Sequence, residues 1–196
     1  MSDDHLIDFN RAGRITASVV AAILRCDMHN RSRKWAWRVI TGREPIKPDT
    51  YDTARGRDHE EDALIDLQCE LGIYCESGRF VPHPELDWLG ASPDAIWMDH
   101  GGVLIPIEVK CPREQHIYIP DGYYAQIQTQ MQCMKAPYSY FGSWVHDKDI
   151  YVQKVDLDAE WWTKNFPVLL EFYELYIKTD TEPPKSQRRS KKDGNG

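Results

Sequence analysis

Ser92-Pro93-Asp94-Ala95-Ile96-Trp97-Met98-Asp99-His100-Gly101-Gly102-Val103-Leu104-Ile105-Pro106-Ile107-Glu108-Val109-Lys110 is the stretch on which the fold turns. Ala95–Met98 and Val103–Val109 are rich in residues that suit a pleated surface. The intervening Asp99-His100-Gly101-Gly102 is turn chemistry, so the segment predicts a β-hairpin. Side chains alternate along a strand, which puts Glu108 and Lys110 on one face and Val109 on the other. Hairpin pairing can bring Asp94, at the mouth of the first strand, opposite them. Two carboxylates and a lysine converging at a sheet edge suit hydrolysis of a phosphodiester with Mg²⁺. Asp94 and Glu108 would hold the cation, which prefers octahedral oxygen coordination and keeps waters that a substrate phosphate can displace. Such a metal lowers the pKa of a bound water and stabilises negative charge developing on phosphate. Lys110 can orient or help deprotonate that water, and the Val109 carbonyl can add a ligand. A Glu-x-Lys pair alone reads more readily as a solvated pair on a strand edge. The Pro93-Asp94 partner and the run Ile105, Ile107, Val109 are what favour the nuclease reading.

Working outward toward the N-terminus, Thr16 can cap a helix through about Cys26, with Val19, Val20, Ile23 and Leu24 on its buried side. A second helix is expected over Arg33–Thr41, stopped by Gly42. After a Pro45–Pro48 loop a longer helical pattern runs from about Thr50 to Leu71 and ends at Gly72. Short β-rich runs follow near Ile73–Pro82 and Leu86–Leu89. Toward the C-terminus the pattern predicts a helix from about Gly122 to Met134. Strands follow at Tyr138–His146 and Tyr151–Val155, joined at Asp147-Lys148-Asp149, and then an amphipathic helix capped by Asp158 and reaching about Lys178. Helices flanking a central mixed β-sheet make this an α/β fold. The pattern does not carry the strand order.

Three further groups have a possible place in the same chemistry. Glu60 shares a helical stripe with Gly56, Leu64, Leu67 and Leu71, which turns it inward while Glu61 faces elsewhere. A buried carboxylate needs a metal or a partner, and an ion pair with Arg55 or Arg57 is the other reading. Gln126 and Gln130 lie one turn apart on the helix after the Glu-x-Lys strand. An amide there can donate to water or phosphate and accept from Lys110, or it can simply be polar surface. Arg11 offers a planar fork that matches phosphate oxygens, and Ser18 on the following helix adds a hydroxyl; an ordinary surface charge is the alternative for Arg11.

Composition bounds the rest. A chain of 196 residues with 41% hydrophobic content can bury a core as one domain, expected over residues 1–182, with a basic tail at 183–196 that holds nothing to bury. The net charge of −7 is unevenly spread: from Lys185 onward lie five of the 24 basic residues and one of the 31 acids, which leaves −11 on residues 1–184. An acidic body argues against broad DNA affinity, since Lys and Arg supply most of it. Carboxylates that hold cations can nonetheless reverse the field within a groove. Five cysteines without a CxxC pair, in a chain lacking a secretory signal or a long apolar run, point to the cytosol. They also argue against structural zinc and iron–sulfur clusters, so any metal should be a hard cation on oxygen ligands.

Taken in order, these segments resemble the phage lambda exonuclease family of phage and viral recombination nucleases, which has a PD-(D/E)xK core of the restriction-endonuclease kind. The match runs from about Asn10 to Tyr176 through Arg11 and Ser18 of the RITAS segment, GRDHE with Glu60, ASPDAI with Asp94, IEVKCP with Glu108 and Lys110, and YYAQIQ with Gln126. The resemblance implies a Mg²⁺-dependent 5′→3′ exonuclease that degrades one strand of linear duplex DNA and leaves a 3′ overhang. Two Mg²⁺ ions are implied, with Mn²⁺ able to substitute. By the same resemblance Asp94, Glu108 and the Val109 carbonyl bind metal, Lys110 handles the water, and Glu60 and Gln126 support the site. Arg11, Ser18 and Ser92 would bind a terminal 5′-phosphate. A homotrimer around DNA, a single-strand annealing partner, and a phage or prophage origin in a bacterial cytoplasm are implied too, with no membrane association. An endonuclease of the same fold and a DNA-binding module without catalysis are the competing functions. The Cys111–Gly122 connection is compact, so loop contacts such as a strand-separating wedge have no evident counterpart.

Overall fold

A computed structural model of the chain describes residues 11–44, 54 and 58–184. In chain order the strands are β1 (Ile15–Thr16), β2 (Glu76–Ser77), β3 (Val81–Pro82), β4 (Leu89–Ala91), β5 (Ala95–Met98), β6 (Leu104–Lys110), β7 (Tyr138–Ser143) and β8 (Tyr151–Asp156). The helices are α1 (Ala17–Leu24), α2 (Arg33–Ile40), α3 (Glu60–Leu71), α4 (Asp121–Met134) and α5 (Ala159–Phe172), the last continuing into one π-helical turn at Tyr173–Ile177.

The expected hairpin is β5 and β6, paired antiparallel with Ala95 opposite Ile107 and Met98 opposite Leu104. Asp99 builds the turn: one side-chain oxygen accepts from the Gly101 and Val103 amides at 2.8 and 2.9 Å. The hairpin is the middle of a five-stranded sheet in the order β2-β5-β6-β7-β8. β6 and β7 run parallel, and the crossover between them contains α4, as a parallel pair requires. A smaller sheet, β1-β4-β3, lies beside it. The mixed α/β class expected from the pattern is the one formed.

Three clusters fill the core. α1, almost wholly apolar, is buried along most of its length against α2, Trp88, Leu89 and the Leu169–Phe172 end of α5. α3 packs Ala63 and Leu67 on one face of the large sheet, over Ile107 and Val109. α4 packs Ile127 and Met131 against Ile105 and Phe141. β6 is thus covered on both faces. α4 also approaches α1 closely: a Cβ on Gly122 would sit 3.5 Å from the Ala21 Cβ of α1 and 3.2 Å from the Cys26 carbonyl oxygen just past it.

The terminators behave as read in three places and differ in others. Gly72 ends α3 in the left-handed conformation at φ 63°, and Gly42 follows α2 at φ 69°. Asp158 caps α5, its carboxylate accepting from the Trp161 amide at 2.8 Å. Thr16 precedes α1, but its hydroxyl lies 3.1 Å from that of Ser18 and caps no amide. The expected strand over Ile73–Pro82 is two short strands in different sheets, and Leu86 lies before β4, where His83 Nδ1 accepts from the Glu85 and Leu86 amides at 3.1 Å. The expected start of the third helix near Thr50, and Gly56, Arg55 and Arg57, lie outside the described residues, as does the basic segment from Lys185. Pro183 is buried, and Glu182 pairs with Lys34 at 2.6 Å, so packing extends to the end of the described chain.

Candidate active site

Asp94 occupies the step between the two sheets. Its backbone amide donates to the Ile107 carbonyl at 3.0 Å, its carbonyl accepts from the Gly78 amide at 2.9 Å, and its carboxylate accepts from the Val109 amide at 2.8 Å. The hairpin therefore fixes this carboxylate at both backbone and side chain. Across from it, Glu108 is fully buried although it stands on a strand between apolar neighbours. Its burial is tolerated because donors surround it: Gln126 and Gln130 each donate an amide N–H at 2.5 Å, to different oxygens, and the Lys110 ammonium binds the same oxygen as Gln126. Lys110 also lies 3.8 Å from Asp94 and 5.5 Å from the Tyr123 ring centre. The expected same-face placement of Glu108 and Lys110 is thus what the strand produces. The two glutamines of α4 are neither plain surface nor acceptors from Lys110; both donate to Glu108.

Glu60 begins α3, and that end of the helix is tied down. The preceding His59 carbonyl accepts from Cys111 Sγ at 3.5 Å, its ring lies 5.1 Å from that of Trp144, and the Trp144 indole donates to Asp66 at 2.5 Å. Burial, together with the Asp94 charge, pushes the Glu60 carboxyl above its ordinary range. Burial and Asp94 push Glu108 up as well, to about 7, against the opposing pull of Lys110. Lys110 is itself shifted up: burial works against its charge, but the Glu108 and Asp94 carboxylates outweigh it. Three carboxyl groups, those of Asp94, Glu108 and Glu60, thus stand around one ammonium in a sheltered space.

Asp94, Glu108, Lys110, Glu60 and Gln126 line one cleft of about 980 Å³, shared with Arg11, Ser18 and Ser92. The cleft therefore gathers these eight side chains named from the sequence, while Gln130 is buried behind Glu108 and does not line it. Arg11 and Ser18 are exposed within it. The Ser92 hydroxyl is buried and has no partner among the described residues. Sequence reasoning missed Tyr123, His29 and Arg31, which line the same cleft. Arg31 carries a signal visible in retrospect, an Asp27-x-x-x-Arg31 spacing after α1, whereas Tyr123 is indistinguishable in sequence from the neighbouring Tyr124.

The donor set suits a hard cation. Asp94 and Glu108 supply oxygens, and among the described residues no sulfur or imidazole shares their hydrogen bonds. Among the described residues no three His, Cys, Asp or Glu side chains stand together as a ready metal cage. Glu108's oxygens are held instead by Lys110, Gln126 and Gln130.

The buried charge sets a stability expectation. Between pH 4.5 and about 7, a carboxyl raised in this way holds its proton more in the folded chain than in the unfolded one. Its contribution is intact below pH 4.5 and is lost as pH rises to about 7. In EDTA, Glu108→Gln is expected to raise the melting temperature at pH 8 relative to the unaltered chain, and to change it little at pH 4.5. Thermal melts at the two pH values check this, and equal shifts at both would rule out the ionised carboxylate as the cause.

An α/β sheet with this hairpin and its flanking helices is the PD-(D/E)xK nuclease fold. The family model of the YqaJ-like viral recombinase domain matches residues 9–137, and the chain belongs to that lambda-exonuclease-like family. Among solved structures it resembles the alkaline exonuclease LHK-Exo of Laribacter hongkongensis, with a TM-score of 0.71 and 23% identity over 86% of this chain and 92% of that one. The same protein in complex with dAMP gives a TM-score of 0.72, again at 23% identity with 86% and 92% covered. A phage-related exonuclease from Haemophilus somnus 129PT gives a TM-score of 0.59 at 13% identity, over 86% of this chain and 96% of that one. A search of curated proteins gave no match. At these identities the structural likenesses establish the fold, and family membership makes the chain a nuclease. Among the described residues no helix is long and apolar enough to cross a membrane.

Proposed function

We propose that the chain is a Mg²⁺-dependent 5′→3′ exonuclease that degrades one strand of linear duplex DNA from a 5′-phosphorylated end and leaves a 3′ overhang for annealing. The observation that carries this is the gathering of Asp94, Glu108, Lys110 and Glu60 in one cleft with Arg11, Ser18 and an unpartnered Ser92 hydroxyl. Asp94, Glu108 and the Val109 carbonyl would hold the cation, a pair of ions being the fuller form and Mn²⁺ a substitute. The bound metal supplies a lowered water pKa and charge neutralisation at the phosphate. Lys110 orients the attacking water through its ammonium. Gln126 and Gln130 hold Glu108 in place, and Glu60, at the start of α3, supports the site. Arg11, Ser18 and Ser92 bind the terminal phosphate with a planar fork and two hydroxyls. We further propose that it works as a homotrimer around DNA, which light scattering tests, and with a single-strand annealing protein in a bacterial cytoplasm, which a pull-down from the host tests.

The test is digestion of 5′-phosphoryl linear duplex, 5′-hydroxyl linear duplex and closed circular DNA, each with Mg²⁺ or EDTA. Rapid, metal-dependent loss of the phosphorylated linear duplex alone is expected. Cutting of the circle would instead identify an endonuclease, and no cleavage of any substrate would leave a binding module. Arg11→Ala is expected to lower the 5′-phosphoryl to 5′-hydroxyl rate ratio roughly tenfold, the order of a lost charge-assisted hydrogen bond. The ratio of initial rates at fixed salt measures it, and an unchanged ratio in the folded variant removes Arg11 from end recognition.

A further inference from the structure

A second basic group faces the same cleft and is held there more firmly than Arg11. Asp27, just past α1, has a carboxylate only 2% exposed, and its two oxygens organise the loop that follows. One accepts from the His29 and Arg31 backbone amides at 2.8 and 3.2 Å. The other binds the Arg31 guanidinium through Nε at 2.8 Å and Nη2 at 2.6 Å. The guanidinium also lies 4.5 Å over the Trp35 ring, and Trp35 is itself anchored because its amide donates to the Ser32 cap at 3.2 Å. An arginine side chain normally loses considerable rotamer freedom when it binds a ligand, and here that freedom is already gone. Arg31 nevertheless remains 37% exposed and lines the cleft with His29. Two of its five N–H donors go to Asp27, and the others have no partner among the described residues. Tyr123, whose hydroxyl is pushed up chiefly by burial, senses Lys110 and Glu108 as well as Arg31 and Asp27, so the loop lies close to the candidate catalytic groups.

We propose that Arg31, oriented by Asp27 and Trp35, is a second phosphate contact, gripping an internal backbone phosphate of the DNA strand independently of the end-binding group Arg11, Ser18 and Ser92. This rests on the nuclease reading for its substrate. In a body of net charge −11 over residues 1–184, DNA must be held by a few well-placed cations, and a preorganised fork is the efficient form. An internal phosphate is present whether or not the end is phosphorylated. Arg31 should therefore act on both kinds of end alike. Asp27 and Trp35 are positioning residues that act through it.

The experiment is binding of the full chain to fluorescent duplex in EDTA, followed by anisotropy across a salt series, so that no cleavage is needed. Arg31→Gln, which keeps a hydrogen bond toward Asp27, is expected to weaken 5′-phosphoryl and 5′-hydroxyl duplexes equally, about tenfold, and to reduce the salt slope by about one phosphate contact. Arg31→Lys should restore the slope but only part of the affinity, because charge returns without the fork. Replacing one linkage at a time with neutral methylphosphonate should find a position that weakens the unaltered chain and leaves Arg31→Gln indifferent. If the unaltered chain binds and folded Arg31→Gln binds equally well with the same slope, Arg31 serves only the loop and this inference is overturned. If the unaltered chain holds no duplex, the functional reading fails as well.

Discussion

Asp94→Ala, Glu108→Ala and Lys110→Ala are each expected to slow hydrolysis of linear duplex by about a thousandfold or more, equivalent to about 4 kcal/mol of transition-state stabilisation. The three groups form one unit. Lys110 binds Glu108 and lies 3.8 Å from Asp94, and Asp94 in turn accepts from the Val109 amide between the other two. On the proposed reading, removing a carboxylate takes away an oxygen that would hold the metal and leaves the ammonium with a single carboxylate partner. Removing Lys110 leaves two carboxylates facing each other without a fixed cation. Groups that act together do not add, so the Asp94→Ala/Lys110→Ala pair should be little worse than either change alone. Gln126→Ala should cost less, about ten- to a hundredfold, because Gln130 still donates to Glu108. Digestion rates measured beside far-UV circular dichroism check the set. A folded single variant that cuts at the normal rate would remove its residue from the mechanism.

Gly78→Ala is expected to be among the most damaging small changes in the chain, costing more than about 3 kcal/mol and taking activity with it. A Cβ at this position would lie 1.7 Å from the Pro93 carbonyl oxygen and 2.7 Å from its carbon. Those are backbone atoms, which cannot swing aside as a side chain could. Relief would require the Pro93-Asp94 peptide to move away, breaking the Gly78 amide bond to the Asp94 carbonyl. Asp94 would then leave its place opposite Glu108. Gly102→Ala, where a Cβ meets nothing within 4 Å but the backbone sits at φ 79°, is a measure of conformational strain without a clash. Thermal unfolding and metal-dependent cleavage of both variants decide the matter. A Gly78→Ala chain that melts and cuts like the original would show that the two segments can separate without harm.

Much of this site was legible because it rests on short-range rules. The hairpin followed from β-rich runs around Asp99-His100-Gly101-Gly102, and the shared face of Glu108 and Lys110 followed from a period of two. Helix ends at Gly72 and Asp158 followed from backbone chemistry. What could not be read depends on distance in sequence. Gln126 and Gln130 looked like polar helix surface until α4 crossed back over β6 and turned them onto a buried carboxylate. The division of Ile73–Pro82 between two sheets is set by partners at β5 and β4, which no local pattern names. Arg31 was overlooked because its partners Asp27 and Trp35 give it meaning only when the loop closes on itself.

The step from β4 to β5 has one more consequence. Ser92 and Asp94 lie on the same short stretch of main chain, two residues apart, so their Cα atoms can be separated by no more than about 7 Å. On the proposed reading, one grips the end of the strand and the other faces the bond to be cut. One part of that grip, the Ser92 hydroxyl, would then be tied to the cutting position by a length of main chain rather than by packing. On that reading the spacing between grip and cut would be bounded by this short stretch of backbone, and an insertion between the two residues would lengthen it.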